Sequence, residues 1–344
     1  MNQSSPQLSI CMASMNRPQE LFSLVTQLSQ QIDGDGLIEL IVVDSTKSQN
    51  EEVAKVLENG LGKYLWTGRP NGVDADFDLS IKSARGRYCW ILPDDDRLVD
   101  GAVQNVLAAT MNTSDTDLVL VNTRVFDSSF GKVLRSSTIA PSSISEFKGN
   151  VAADVLAQFS SLLTYIGCVV IKRELWMRAD SSKYFGTEFV HVGVILSQSP
   201  ISGLRVINEP QIEICYGQGY WEQRYVQVWW KNWENLIRTE VGDPDLYGKW
   251  GLPIGRKKIA LAAYAKALRF VANDEVRIRL QDERQIKIAW AIVIRIVLAM
   301  PAYSLNLLFS LAARILNRQS TPVVLYDLRR RRRRRTKQVE MLSK

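Results

Sequence analysis

Residues 88–96, YCWILPDDD, join a continuous apolar run directly to three aspartates. A short apolar run followed by polar residues is typical of a strand that is buried on both faces of a sheet. Such a strand would bring all three carboxylates to one edge of the sheet. Carboxylates this close repel one another and raise each other's pKa unless a cation is present. The stretch therefore predicts a buried strand that ends in an acidic site.

Three adjacent aspartates offer only oxygen ligands, which suit hard cations. Mg²⁺ and Mn²⁺ prefer such ligands and commonly bridge the protein to a substrate diphosphate. The alternative is a solvated acidic turn that caps the next helix. Because Asp94, Asp95 and Asp96 directly follow a predicted buried strand, we favour the metal site.

The same pattern extends outward over residues 8–122, where apolar runs alternate with amphipathic segments. Residues 8–13, 38–43 and 118–121 are further apolar runs, and the segments between them have helical periodicity. Apolar strands that alternate with helices indicate an α/β fold with a parallel sheet covered on both faces.

Ligands of such a sheet bind beyond the carboxyl ends of its strands. Polar residues follow the predicted strands at four of these ends, namely at 15–17, 44–45, 71–74 and 94–96. We therefore expect these four segments to line one edge of the sheet. Further along the chain, residues 185–196 have the pattern of a helix.

The basic excess of the chain lies in one run of seven arginines, at 329–335. The chain has 43 basic and 36 acidic residues, and 36 of each remain without the run. A neutral body argues against a duplex-binding protein with a basic face. An arginine-rich tail still attracts nucleic acid through phosphate charge, so a non-enzymatic nucleic-acid-binding protein remains an alternative.

The region before this run combines apolar residues with scattered basic ones. Residues 296–313 carry no charge, and this segment is close to the shortest length that crosses a bilayer. Pro301 and several polar residues weaken the interpretation of the segment as a membrane-spanning helix. An apolar, basic helix suits the membrane–water interface, and the arginine run adds attraction for an anionic leaflet. With no secretory signal at the start of the chain, we expect a cytoplasmic protein, peripheral or monotopic at the inner membrane. A soluble helical bundle and oligomerisation through these helices are the alternatives.

Three stretches of the first half resemble family 2 glycosyltransferases. Residues 8–17, LSICMASMNR, resemble the family's opening strand and Asn-Arg turn, and residues 38–46, IELIVVDST, resemble its second strand. Residues 71–96 resemble the segment that ends in the family's metal-binding Asp-x-Asp. The form WILPDDD is most similar to the branch of abequosyltransferases, which build bacterial surface polysaccharides. The resemblance covers roughly residues 8–215.

This resemblance implies a GT-A fold, which is a Rossmann-like α/β domain with a mainly parallel sheet that binds nucleotide-diphospho-sugars. A helical C-terminal extension would follow it here. The expected divisions are a nucleotide-sugar-binding half (1–122), an acceptor-binding half (123–240), a linker (241–256), a helical membrane-associated region (257–318) and an arginine-rich tail (319–344).

The resemblance also implies roles for individual residues at the sheet edge. Asp94 and Asp96 would hold Mn²⁺ or Mg²⁺, which neutralises charge on the departing diphosphate. Asp44 would accept a hydrogen bond from the nucleotide base. The expected donor-binding residues are Ser14, Asn16, Arg17, Asp44, Asp74, Asp94 and Asp95.

The expected catalytic residues lie in the second half. In the family, a carboxylate near the start of a helix takes the proton of the acceptor hydroxyl. Glu188 is the candidate here, although this chain has one acid where the family commonly has a Glu-Asp pair. His191 would share a helix face with Glu188 at spacing i, i+3, and a core histidine is its alternative role.

The predicted activity is the transfer of a single sugar from a nucleotide diphosphate to an acceptor hydroxyl. The chain lacks the Gln-x-x-Arg-Trp pattern of the family's processive synthases, which favours one transfer over polymerisation. A lipid-linked saccharide in surface polysaccharide synthesis is the expected acceptor. A nucleotidyltransferase is the enzymatic alternative, although Asn16 and Arg17 stand where it usually has a glycine-rich loop.

Overall fold

The computed structural model describes residues 5–32, 34, 36–58, 60–111, 116–139, 145–217, 224–252, 256–281, 288–316, 318 and 320–330. The first half of the chain builds four parallel strands in the spatial order β3-β2-β1-β4. These strands are β1 (Leu8–Ser14), β2 (Ile38–Asp44), β3 (Gly62–Trp66) and β4 (Tyr88–Pro93). Their helices are α1 (Pro18–Gln31), α2 (Glu51–Glu58), α3 (Val73–Ser83) and α4 (Ala102–Thr110). The predicted α/β fold with parallel strands is confirmed.

The second half extends the same sheet with strands of mixed direction. They are β5 (Arg97–Leu98), β6 (Leu118–Phe126), β7 (Val133–Arg135), β8 (Glu146–Val151), β9 (Val169–Lys172) and β10 (Ile201–Cys215). β9 lies antiparallel between β4 and β6, and β10 runs parallel to β6. β5 and β8 pair antiparallel with β10, and β7 pairs antiparallel with β6. One continuous sheet therefore carries residues from both halves of the chain.

Two hydrophobic clusters cover the two faces of this sheet. Side chains alternate between the faces along a strand, so Leu8, Ile10 and Met12 of β1 join one cluster, while Cys11 and Ala13 join the other. The first cluster also contains the apolar residues of α1, α2 and α4, and the second contains those of α3. Cys11, Cys89, Cys168 and Cys215 are all buried and free.

Helices of the second half pack around the remaining sheet. They are α5 (Ala153–Leu156), α6 (Ser160–Leu163), α7 (Arg173–Arg178), α8 (Val190–Ser197), a π-helical segment (Val226–Asn232), α9 (Trp233–Val241) and α10 (Pro244–Tyr247). The helix predicted at 185–196 begins only at Val190, so its predicted start is wrong. Gly186 and Glu188 have φ values of 81° and 69°, which a right-handed helix does not accommodate.

The C-terminal region is helical. It contains α11 (Arg256–Ala267), α12 (Asn273–Gln281), α13 (Ile288–Ala299) and α14 (Ala302–Leu316), and residues 321–330 form a further stretch that we call the C-terminal helix. Within the described ranges, no single helix has the length and apolarity to span a membrane. Only one pair of helices together has enough length and apolarity, namely Ile292–Ala299 with Ala302–Leu316, and the angle between the two is 112° among the described residues. Five of the seven arginines of the run, 331–335, lie outside the described residues.

The division expected between residues 122 and 123 falls inside β6. Asn122 is fully buried there, and its Oδ1 accepts hydrogen bonds from the backbone N–H groups of Thr138 (3.1 Å) and Ile139 (3.2 Å). Its Nδ2 donates to Ser137 Oγ at 2.7 Å and to the carbonyl of Asn208. This side chain joins the loop after β7 to the centre of the sheet.

We predict that Asn122→Ala lowers the free energy of unfolding by about 2 to 4 kcal/mol, because it leaves buried backbone N–H groups without an acceptor. Urea denaturation measures this change. The exposed Asn150 of β8 is the matched control, and Asn150→Ala should have an effect close to zero. Equal stabilities of the two variants would contradict the structural role of Asn122.

Candidate active site

The carboxyl ends of β1, β2 and β4 meet at one edge of the sheet. The parallel register pairs Ser14 with Asp44 and places Pro93 beside Ala13, so Asp94 follows at the same level. Ser14 Oγ donates a hydrogen bond to Asp94 Oδ2 at 2.6 Å. Asp44 and Asp94 are both buried. Three of the four predicted segments, at 15–17, 44–45 and 94–96, therefore follow strands that end at this edge.

Arg17 is the cation of this edge. Its Nη1 lies 3.0 Å from Asp94 Oδ1 and 2.6 Å from Asp95 Oδ2. Burial alone would lower the pKa of the guanidinium, but the attraction of Asp95 and Asp94 raises it overall, so Arg17 stays charged. Asn16 sets up this turn with a left-handed φ of 59° and a backbone N–H that donates to Thr46 Oγ1 at 2.8 Å.

Asp94, Asp95 and Asp96, which we call the acidic rim, follow β4 directly. Burial raises the pKa of Asp94 to about 6, although Ser14 and Arg17 oppose that shift. Burial also raises the pKa of Asp96 well above its usual range, and Asp95 and Asp94 add to the effect. The backbone N–H of Cys215 donates to Asp96 Oδ1 at 3.3 Å. Burial and the neighbouring carboxylates therefore disfavour the charged forms of Asp94 and Asp96.

This donor set fits a divalent cation that arrives with a phosphate ligand. No group of three or more metal-ligating side chains is already arranged around a common point in the part of the chain that the structure describes. Mg²⁺-type sites often need only one or two carboxylates, because substrate phosphates and water complete the coordination. Burial raises the pKa of Asp94 and of Asp96, and a cation placed beside them would lower it again.

Asp44 is held at the end of β2 by its neighbours. Its Oδ2 accepts a hydrogen bond from the hydroxyl of Tyr64 at 2.7 Å, and its Oδ1 accepts from the backbone N–H of Thr46 at 2.9 Å. Burial raises the pKa of Tyr64, and the bond to Asp44 raises it further, so the phenol remains a donor. Tyr64 thus fixes the orientation of the carboxylate that the resemblance assigns to the nucleotide base.

A cavity of about 710 Å³ opens above the acidic rim, a size typical of small-molecule sites. Residues of both halves of the chain line it. Among the predicted residues, Ser14, Arg17, Asp74, Asp94, Asp95, Asp96, Glu188 and His191 all contribute to its wall. The structure therefore brings most of the predicted donor-side residues and both predicted catalytic residues to one cavity, while their roles stay predictions.

Asp74 ties the two sides of this cavity together. Its Oδ2 accepts from the backbone N–H of Glu188 at 2.8 Å, and its Oδ1 accepts from that of Val190 at 3.1 Å. Burial raises the pKa of Asp74, and the backbone hydrogen bonds only partly offset that shift. The observed contacts of Asp74 hold the loop that carries Glu188 and cap the start of α8. Its donor contact remains a prediction.

Glu188 has a partner that the sequence analysis missed. Arg224 Nη1 lies 2.5 Å from Glu188 Oε1, and both residues line the cavity. No local sequence pattern predicts that Arg224 pairs with Glu188, because the two residues lie in segments far apart in the chain. The ion pair fixes the carboxylate of Glu188 on the side of the cavity opposite the first-half strands.

His191 is buried on α8. Its Nε2 lies 2.8 Å from the carbonyl oxygen of Leu163, and that nitrogen carries the proton because a carbonyl only accepts. Burial lowers the pKa of His191 to about 4, although the Leu163 carbonyl opposes the shift. The predicted i, i+3 relation to Glu188 is wrong, since α8 starts after Glu188, yet both residues reach the same cavity.

The C-terminal helix contacts Tyr216 and Gly217 at the cavity wall. The Tyr216 hydroxyl donates to Asp327 Oδ2 at 2.9 Å, and the guanidinium of Arg330 donates to the carbonyl of Gly217. Tyr216 and Gly217 line the cavity, and Asp327 is buried. Residues expected to belong to an arginine-rich tail thus pack against the site, which sequence patterning did not indicate.

We predict that His191 makes the protein less stable in acid. The unfolded chain protonates its histidine near pH 6.5 and the folded chain only near pH 4, so stability falls as the pH drops through this window. The loss by pH 4.5 should be about 2 to 3 kcal/mol. His191→Gln retains a donor for Leu163 and removes the titration. Urea denaturation from pH 7.5 to 4.5 should give a shallower decline for the variant, and parallel curves would contradict the assignment.

Comparisons with known proteins agree with this geometry. Residues 9–176 match the family model described as Glycosyl transferase family 2. Abequosyltransferase RfbV of Salmonella typhimurium strain LT2 is 24% identical over an alignment of 224 residues. The alignment covers 61% of this chain and 66% of that protein. The chain thus spans slightly less than two thirds of the length of this curated relative.

Two solved structures have the same fold. S. aureus TarS 1-349 in complex with UDP has a TM-score of 0.52 and 13% identity, covering 78% of this chain and 82% of its own. Mannosyltransferase PcManGT from Pyrobaculum calidifontis, in complex with GDP-Man and Mn²⁺, has a TM-score of 0.52 and 14% identity, covering 94% of this chain and 86% of its own. Residues 9–176 thus match glycosyltransferase family 2, and the chain has the GT-A fold and resembles abequosyltransferases.

Proposed function

We propose that this protein transfers one sugar from a nucleotide-diphosphate donor to a hydroxyl group of a saccharide acceptor. The convergence of Asp44, the acidic rim and Glu188 around one edge and cavity supports this most directly. The relatives agree, because PcManGT was solved with GDP-Man and TarS with UDP. The likeness to an abequosyltransferase supports a saccharide as the acceptor.

The donor occupies the side of the first-half strands. Asp44 accepts a hydrogen bond from the nucleotide base, and Tyr64 keeps its carboxylate in place. Arg17 faces the phosphates from the turn after β1, while Ser14 orients Asp94. Mn²⁺ or Mg²⁺ held by Asp94 and Asp96 would neutralise the charge that develops on the departing diphosphate.

Glu188 acts on the acceptor side. The acceptor oxygen bonds to the anomeric carbon as the bond from that carbon to the diphosphate oxygen breaks, and the hydroxyl proton passes to the Glu188 carboxylate. Direct displacement of this kind inverts the anomeric configuration. Arg224 holds the carboxylate, and Asp74 holds the backbone that carries it. We assign the proton to Glu188 rather than His191, because Nε2 of His191 bonds to Leu163 and its pKa is about 4.

We further propose a lipid-linked saccharide in surface polysaccharide synthesis as the acceptor, used at the cytoplasmic face of the inner membrane. The apolar C-terminal helices support this location, because they adjoin the helix that contacts Tyr216 at the cavity wall. A nucleotidyltransferase would release pyrophosphate, whereas sugar transfer releases a nucleoside diphosphate. Identifying the released product therefore separates these two activities.

The metal proposal predicts that nucleoside diphosphates stabilise the protein mainly when Mn²⁺ is present. A thermal-shift screen of nucleoside diphosphates and nucleotide sugars, with and without Mn²⁺, measures this through the rise in Tm that ligand binding produces. Asp96→Asn should remove most of the Mn²⁺-dependent shift. Asp100→Asn changes an exposed aspartate four residues away and should keep it. Full transferase activity of Asp96→Asn in excess EDTA would exclude the metal site.

The base assignment predicts that Glu188→Gln lowers turnover by about 10²- to 10⁴-fold, because the acceptor proton loses its receiver. Nucleoside diphosphate release from the donor found in the screen measures turnover, and the thermal shift with that donor should stay unchanged. Glu174→Gln on α7, an exposed glutamate, is the control and should be fully active. Normal turnover of Glu188→Gln would remove Glu188 from the reaction.

A further inference from the structure

The face of α14 that points away from the protein is apolar. Tyr303, Leu307, Leu311 and Ile315 recur every four residues, and each is between 51% and 73% exposed. More than half of the exposed large apolar side chains among the described residues lie on α13 and α14, and the others are scattered singly. A concentration of this kind marks an interaction surface.

The face of α14 that points toward the protein carries polar residues beside the buried Leu305. Asn306 and Ser310 are buried, and Asn306 Nδ2 donates to the carbonyls of Leu328 at 3.1 Å and Ala267 at 3.4 Å. Ser310 Oγ donates to the carbonyl of Asn306 at 2.8 Å. A helix at a water-facing surface keeps its polar residues outward, whereas α14 is apolar there. The outward face of α14 is therefore suited to an apolar environment.

The charged residues of α13 and α14 themselves are all basic. No acidic residue occurs between Glu283 and Asp327, and the basic Arg295, Arg314 and Arg318 are exposed. Two copies of the chain packed through this face would bring like charges together with no acid to pair them. Anionic phospholipid headgroups supply the missing negative charge, and the bilayer beneath them takes up the apolar side chains.

The bend between α13 and α14 is fixed by the protein. Lys266 of α11 is buried, and its Nζ donates to the carbonyls of Val297 (2.9 Å) and Leu298 (2.8 Å) in the last turn of α13. Pro301 follows that turn and cannot continue the helix hydrogen bonds. At 12 and 15 residues, the two helices are about 18 and 22 Å long, which is shorter than the ~30 Å hydrocarbon core. Neither helix is long enough to cross the bilayer, and both have a length that suits a position in the plane of the membrane–water interface.

α14 is connected to the cavity wall through the C-terminal helix. Asn306 of α14 donates to the carbonyl of Leu328 in the C-terminal helix, and the next residue before it, Asp327, accepts from Tyr216 at the cavity wall. One helix therefore separates the apolar face of α14 from the site.

We propose that the outward faces of α13 and α14, together with Arg295, Arg314 and Arg318, form a binding surface for an anionic phospholipid bilayer. We call it the α13–α14 surface. It lies in the headgroup region of one leaflet without crossing the bilayer. This proposal does not depend on the proposed sugar transfer, because vesicle binding is measured without donor or acceptor.

Vesicle co-sedimentation of the full chain tests the proposal. The protein should sediment with mixed phosphatidylglycerol–phosphatidylcholine vesicles, bind phosphatidylcholine alone more weakly, and dissociate progressively with salt. The double variant Leu307→Glu/Leu311→Glu should lose binding by at least about tenfold, because each leucine contributes buried apolar area. Its Tm should stay unchanged, since both side chains are exposed in the folded protein.

The matched control is Met177→Glu, which places the same charge at an exposed apolar residue of α7. This variant should bind vesicles like the wild type. Wild-type binding by the folded double variant would overturn the proposal. So would a dimer that the double variant dissociates, found in a protein that does not bind vesicles, because a second copy of the chain would then be the partner.

Depth-dependent quenching tests whether the surface lies in the interface. An environment-sensitive probe on Leu311→Cys should be quenched more by lipids brominated near the headgroup than by lipids brominated near the chain ends. The native cysteines are buried and should not take up the probe. The reverse order of quenching would show deep insertion and would contradict an in-plane surface.

Discussion

The parallel pairing of β1 with β2 and β4 is the constraint on which the site depends. It places Ser14, Asp44 and Asp94 at one level, where Ser14 Oγ bonds to Asp94. Alternate side chains of these strands pack in two different hydrophobic clusters. A slip by one residue would exchange the side chains between the clusters, so the packing sets the register. The cost of burying the acidic rim is reduced by Arg17, and we propose that a divalent cation supplies further positive charge there.

The acceptor side is attached to this framework by a few long-range contacts. Asp74 at the start of α3 binds the backbone around Glu188, and Arg224 binds the Glu188 side chain. The C-terminal helix adds a third contact through Asp327 and Tyr216. The cavity thus combines the proposed donor side, formed by the parallel strands, with a proposed acceptor side set by segments from the rest of the chain. The C-terminal helix lies between the cavity and α14.

The sequence allowed the donor side to be predicted because its information is local. Apolar runs identify β1, β2 and β4, and the residues directly after them form the site. The acceptor side was less accessible, because the left-handed backbone at Glu188 delays α8 and the partner of Glu188, Arg224, follows no motif. The outward apolar face of α14 was equally hidden, since hydrophobicity alone does not reveal which face of a helix the protein covers.

A crystal structure of the full chain with Mn²⁺ and the most stabilising nucleoside diphosphate would locate the proposed metal and donor sites together, because manganese is identified by its anomalous scattering. We expect a manganese peak coordinated by Asp94 or Asp96 and by diphosphate oxygens, with the base near Asp44. A nucleotide bound elsewhere, or a diphosphate held by Arg17 with no manganese at the acidic rim, would contradict it.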